Sequence, residues 1–398
     1  MGRRAGVRLA ISLLAVAALS ACAAPINGTA LAARISRTTL APTTTTVPPT
    51  TTVPPTTTAR TTTPPPPAAP APPAPAGNPN GHAAIPAAAQ PVDTSHPDHV
   101  IGTGTPASCT SAAVVAAVAA GGVTTFDCGS APVTITLTAT AKVRNTSATV
   151  VIDGGGRVTL SGAGARRILY QDTCDTAQGK ASSDCYNQAG PRLTVQNLAF
   201  SGGNSTGQTT GDGGGGGAIF ALGGRLTVIN SRFTDNRCDT TGPDLGGAGI
   251  RALNQYQNLP VYVVDSSFTG GACSNGGGLS SIGVNWIVLN CVFSGNTAIG
   301  NGANPPSAGT PGGGSGGAIY TDGDTYTLQL AGTMITGNHA NEGGGAIFYV
   351  SNDHTGTLQI NSSTLTHNVS ASFETAGYPG IFFIGNGKPL VSGSTLSK

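Results

Sequence analysis

Four carboxylates near the end of the chain have the types and spacing that could do chemistry: Asp322, Asp324, Glu342 and Asp353. Asp322 and Asp324 flank one glycine, and the repeat described below sets Glu342 and Asp353 one coil further on. Together they could hold Ca²⁺ through oxygen ligands, or share acid–base work at a glycosidic bond. The same Asp-Gly-Asp also reads as a polar turn, which is the plainer expectation. Only 9% of the residues are charged and the one other glutamate is Glu374, so an acid–base site has little to be built from. His339 and His367 stand on opposite sides of Asn338 and Asn368, which argues against a zinc pair. No cofactor is expected, and Ca²⁺ is the single candidate. The glycine run at 211–217 has neither the Lys-Ser/Thr nor the helix start of a phosphate loop. Together with residues 301–315 it reads as a flexible excursion, and Arg166-Arg167 reads as a solvated pair. A formal net charge of +2 without a basic patch excludes nucleic acid as an expected partner.

Cysteine supplies the other chemistry. Eight cysteines behind an export signal imply an oxidising compartment. Cys109 with Cys128 and Cys174 with Cys185 are local pairings. Cys238 lies five residues after Phe233 and Cys273 five after Phe268, so both hold one place in successive repeats. Stacked strands lie about 4.8 Å apart and disulfide-linked Cα atoms about 4.4–6.8 Å apart. A Cys238–Cys273 bond between rungs therefore fits, provided the loop between them keeps the register. Cys291 is left over and reads as a buried thiol, with no His or Lys beside it to activate it.

What must position these residues is a repeat. Leu-Thr-Val-Gln-Asn-Leu-Ala-Phe at 193–200 returns as Leu-Thr-Val-Ile-Asn-Ser-Arg-Phe at 226–233. It returns again as Val-Tyr-Val-Val-Asp-Ser-Ser-Phe at 261–268 and Trp-Ile-Val-Leu-Asn-Cys-Val-Phe at 286–293, with weaker copies at 328–338 and 358–368. A second phrase, Gly-Ala-Ile, stands at 217–219, 317–319 and 345–347. The alternation is that of strands with one buried face, and glycine and asparagine at fixed offsets supply corners of positive φ. A period of this size means a solenoid. Stacking like residue on like gives apolar ladders inside and hydrogen-bonded asparagine ladders at a corner. The expected fold is all-β: a single-stranded right-handed parallel β-helix with a short N-terminal capping helix at 111–120, where alanine and valine run between a Ser/Thr cap and Gly121-Gly122.

Gly-Gly-Ala-Ile joined to Phe-x-x-Asn, as at Phe233 to Asn236 and Phe293 to Asn296, resembles the repeat of chlamydial polymorphic outer-membrane proteins. More broadly, residues 105–398 resemble the right-handed parallel β-helix, or pectin-lyase-like, superfamily. That resemblance implies the fold, but its members include lyases, glycosidases, adhesins and spacers. The paired Asp-Asp, Gly-His-Gly and Arg-Ile-Lys of polygalacturonases and the Arg-x-Pro-x-x-Arg of one pectate-lyase group are missing from this sequence. A translocating barrel after Lys398, as in the chlamydial proteins, is not expected, so anchoring is expected at the other end.

There, a basic start, an apolar run at 9–19 and Leu-Ser-Ala-Cys at 19–22 form a secretory signal. It resembles a bacterial lipobox and implies lipid on Cys22. Residues 1–21 are then the signal peptide, and 22–104 the lipidated cysteine with a Thr/Pro/Ala-rich disordered linker, extended and semi-rigid. Residues 105–398 form the β-helix. The sequence therefore points to an exported, membrane-anchored lipoprotein at the cell surface, non-enzymatic, touching polysaccharide or a surface protein. A polysaccharide lyase or hydrolase and a plain structural spacer are the alternatives.

Overall fold

The computed structural model describes residues 74–210 and 213–398. The signal peptide, Cys22 and most of the Thr/Pro tract lie outside the described residues, as do Gly211 and Asp212.

One coil shows how the fold is made. Ile219–Leu222 is a strand of a second sheet; Gly223 and Gly224 turn the chain with φ of 65° and 63°; Arg225–Ile229 is a strand of the long sheet. Asn230, at φ 43°, makes the next corner, and Arg232–Thr234 follows. Asn197, Asp265 and Asn290 take the same left-handed conformation at the same corner of other coils, a conformation that Asn and Asp tolerate better than other side chains. Among the described residues the strands assemble into sheets of 17, 8 and 4 strands. The pairing is parallel, coil upon coil: Ile219 lies beside Ile250, Ile250 beside Leu279, Leu279 beside Ile319, and Ile319 beside Ile347. The chain is a parallel β-helix.

The core is a set of ladders. Val228, Val263, Val288, Leu330 and Ile360 are in register in the long sheet, and all are fully buried. Phe200, Phe233, Phe268 and Phe293 stack ring on ring at 4.9, 4.5 and 4.7 Å, each pair contributing about 0.5–1.5 kcal/mol beyond its buried area. The asparagine ladder is also present. Asn296 Nδ2 donates to Asn338 Oδ1 at 2.8 Å, and Asn338 Nδ2 to Asn368 Oδ1 at 2.9 Å. Side-chain amides thereby satisfy donors and acceptors that no water reaches.

The bridges Cys109–Cys128, Cys174–Cys185 and Cys238–Cys273 are formed, with Cα–Cα separations of 5.7, 5.0 and 4.8 Å. The third runs from rung to rung because Phe233 pairs with Phe268 and Arg237 with Ala272, so the loop does keep the register. The helix Ser111–Ala120 has the Thr110 hydroxyl accepting from the Ala113 N–H and Gly121 at φ 80°. Its Val114, Ala117 and Val118 enter the main core. It lies against His99–Ile101 and Ala141–Lys142, the end strands of the long and second sheets.

The boundary at residue 104 needs correcting. His99–Ile101 is already a strand, paired with Gly122–Phe126, and the chain from residue 76 lies on the solenoid as a strap. Ala76 N–H donates to Asn230 Oδ1, Ala83 N–H to Asn290 Oδ1, and Asn290 Nδ2 returns a bond to Ala83 O. Further along, Gln196 and Val92 exchange two hydrogen bonds, and Thr94 donates to Asp153. Ala89 is fully buried against Val264 and Leu289. The strap needs no core of its own, because side chains of the coils, Asn230, Asn290 and Gln196, supply hydrogen-bond partners to its backbone.

Candidate functional site

The four carboxylates are not brought together. Asp322 Oδ2 accepts from the Tyr320 hydroxyl at 3.2 Å and from Asn304 Nδ2 at 3.0 Å; its Oδ1 takes the Gly323 N–H at 2.7 Å. Asp353 is occupied by Thr325, Ser351 and Thr355, whose bonds hold its carboxyl well below the usual range. Glu342 Oε1 accepts from the Gly302 N–H, and Asp324 is exposed. Among the described residues, no group of three or more His, Cys, Asp or Glu is arranged to hold a metal ion. Asp322, Glu342 and Asp353 each fasten a turn or a loop of their own.

Asp322 instead belongs to a hydrogen-bonded network on the outer face of the second sheet. In that column Phe220, Arg251, Ser280 and Tyr320 occupy successive rungs, and all are buried although they point away from the core ladders. The loops at 239–247 and 301–315 fold back over them. Residues 301–315 are thus not a free excursion: Asn301 and Ala303 bridge to Gly312 and Gly313, and Asn304 reaches Asp322, Tyr320 and Asp244. Arg251 donates to Ser280 Oγ and to the Asp244 carbonyl, both at 2.6 Å, and burial lowers its pKa to about 10. Arg167 is likewise buried, correcting the solvated reading. Its guanidinium bonds the carbonyls of Gln208, Gly215 and Gly216 and lies over the rings of Tyr170 and Phe220. Burial raises the Asp322 pKa and lowers that of Arg167 to about 10. These are staples between loop and sheet.

Sequence reasoning missed this layer, yet a signal was present. Ile-Phe-Ala-Leu (Ile219–Leu222) and Ile-Phe-Tyr-Val (Ile347–Val350) are apolar at both parities, the mark of strands covered on both faces. Cys291 fits its expectation. It is free and fully buried, its thiol donates to Leu289 O and Val263 O, and burial pushes its pKa up.

A recess lies elsewhere, on the outer face of the long sheet. It is a groove of about 300 Å³. Thr194, Thr227 and Tyr262 form one column of its floor in strict register, and Arg192 pairs with Arg225 in the column beside it. The strap provides one wall through Val92, and Leu259 stands at the other. No Asp or Glu lines it. Hydroxyls, a phenol ring, two guanidinium groups and two apolar edges can bind a polar ligand, but they offer no acid–base pair. No protein-family model, curated protein or solved structure matches this chain, so the geometry alone carries the functional reading.

Proposed function

We propose that this is a non-enzymatic saccharide-contact protein of the cell envelope, displayed at the surface by lipid on Cys22 and a Thr/Pro-rich linker. The groove across the Thr194, Thr227 and Tyr262 rungs carries the reading. Concave sites with an aromatic ring and a few placed polar groups are the form that small polar ligands use. The floor repeats with the rungs of the solenoid, which suits a repeating polymer. Three disulfides favour an oxidising compartment. Parallel coils with an asparagine ladder are the feature that supports placing the chain among pectin-lyase-like β-helices. A lyase or hydrolase would need carboxylates beside its ligand, and the groove has none.

The test is a glycan-binding screen of the full chain with assay for released reducing ends and unsaturated products. Binding without product, weakened by Tyr262→Ala, is the expected result. Product release would make the protein an enzyme and overturn the proposal.

A further inference from the structure

We propose that the strap is a releasable latch in series with the linker: tension from the N-terminal side peels it off the solenoid ahead of any coil, lengthening the tether and uncovering an apolar strip. This goes beyond the saccharide reading and does not depend on it.

The strip is visible in the register of the long sheet, where the outward-facing residues change character along two columns. In one, Tyr262 and Ile287 give way to Gln329 and Gln359; in the other, Val264 and Leu289 give way to Ala331 and Asn361. The large apolar members are those beneath the strap. Ala89 is buried on Val264 and Leu289, and Ala83 and Ile85 pack against the same cluster together with Tyr262 and Ile287. Apolar outward positions thus match the footprint of the strap, and its release would turn them into an exposed patch.

The strap's contacts are arranged to open in turn. Starting from the linker side, Arg232 donates to the Ala74 carbonyl and Ala76 N–H to Asn230. Asn78 then donates to the carbonyls of Asn290 and Gly332, and Ala83 exchanges two bonds with Asn290. Val92 on Gln196 and Thr94 on Asp153 come last. A pull ahead of residue 74 meets these one or two at a time, whereas each coil is joined to the next by whole backbone ladders. Segments held by few contacts open well below the cost of global unfolding. The peeling also has a stop. Asp98 bonds Val123 through both its N–H and its carboxylate, His99–Ile101 is paired with Gly122–Phe126, and the Cys109–Cys128 bridge closes the chain behind them. Residues 76–98, once free and fully extended, span at most about 80 Å.

The experiment is single-molecule stretching of the full chain, with one handle ahead of the strap and the other at Lys398. The expected result is a first step at lower force than any coil, adding up to about 80 Å of contour length and closing again on relaxation. Ala89→Asp, which sets a charge against Val264 and Leu289 without altering a coil, should lower the force of that step or remove it and leave the later steps unchanged. In bulk, the same variant should bind more of an apolar dye than the wild type at equal melting temperature of the coils. Gly81→Val repeats the test through a different part of the strap. Strap and coils giving way in a single step, a first step much longer than the stop at Asp98 permits, or a first step unchanged in both folded variants would each overturn the latch.

Discussion

Asn338 shows how much a single residue holds in a coil that water cannot enter. Its Oδ1 accepts from both the backbone N–H and Nδ2 of Asn296, while its Nδ2 reaches Asn368 and the Phe293 carbonyl. Asn338→Ala orphans those buried groups, and an unsatisfied donor or acceptor costs about 1–3 kcal/mol. A loss of about 2–3 kcal/mol in denaturant unfolding is expected; a change within about 0.5 kcal/mol would contradict the ladder's role. Asp322 gives a prediction in pH. Burial raises its folded pKa, so between its unfolded value and that raised value the folded state binds the extra proton, and the group's contribution falls as pH climbs. The melting temperature of the wild type minus that of Asp322→Asn should therefore be greatest in acid and shrink as pH rises through that window. A flat or widening gap would refute the assignment. The Asn ladder was legible in the sequence because it recurs at a fixed offset. The place of Asp322 was not, because its partner Asn304, and the Asp244 carboxylate that Asn304 also bonds, come from loops with no repeat to align them.

Elements follow the same division. Strands and corners were readable because each repeats, and the helix Ser111–Ala120 because its cap and stop are local signals. The strap was unreadable for a physical reason: its alanine-, proline- and glycine-rich composition cannot build a core, and its order comes from partners on the coils, the corner asparagines together with Gln196, Asp153 and the apolar patch under Ala89. Gly81 tests this directly. A Cβ there would sit 2.6 Å from the Gly332 carbonyl and 2.9 Å from Asn290 Cα, close enough that the strap must lift. In Gly81→Val, hydrogen exchange should accelerate across residues 76–94 while the coils beneath keep their protection. Unchanged exchange in the strap would show that its docking does not depend on this close approach.

At the scale of the whole molecule, a solenoid is held by contacts between neighbouring coils, so its stability is close to a sum along one axis. The staples are unevenly placed along that axis: the disulfides lie between Cys109 and Cys273, and the coils from Leu279 onward have none among the described residues. A disulfide raises stability mainly by restricting the unfolded chain, typically by about 2–4 kcal/mol. Under rising denaturant, amides beyond residue 279 should therefore exchange before those of the first coils. Phe268 sits at the junction, stacked on Phe233 and Phe293. Truncating it removes both ring contacts and leaves a cavity, at a cost of about 3–5 kcal/mol. Phe268→Ala should then split unfolding into two steps, the coils after the junction opening first and the bridged coils later. Reducing the disulfides in that variant should draw the two steps together. A single transition in oxidised Phe268→Ala, with uniform exchange along the chain, would mean that cooperativity spans the whole β-helix and that the bridges do not set its order of unfolding.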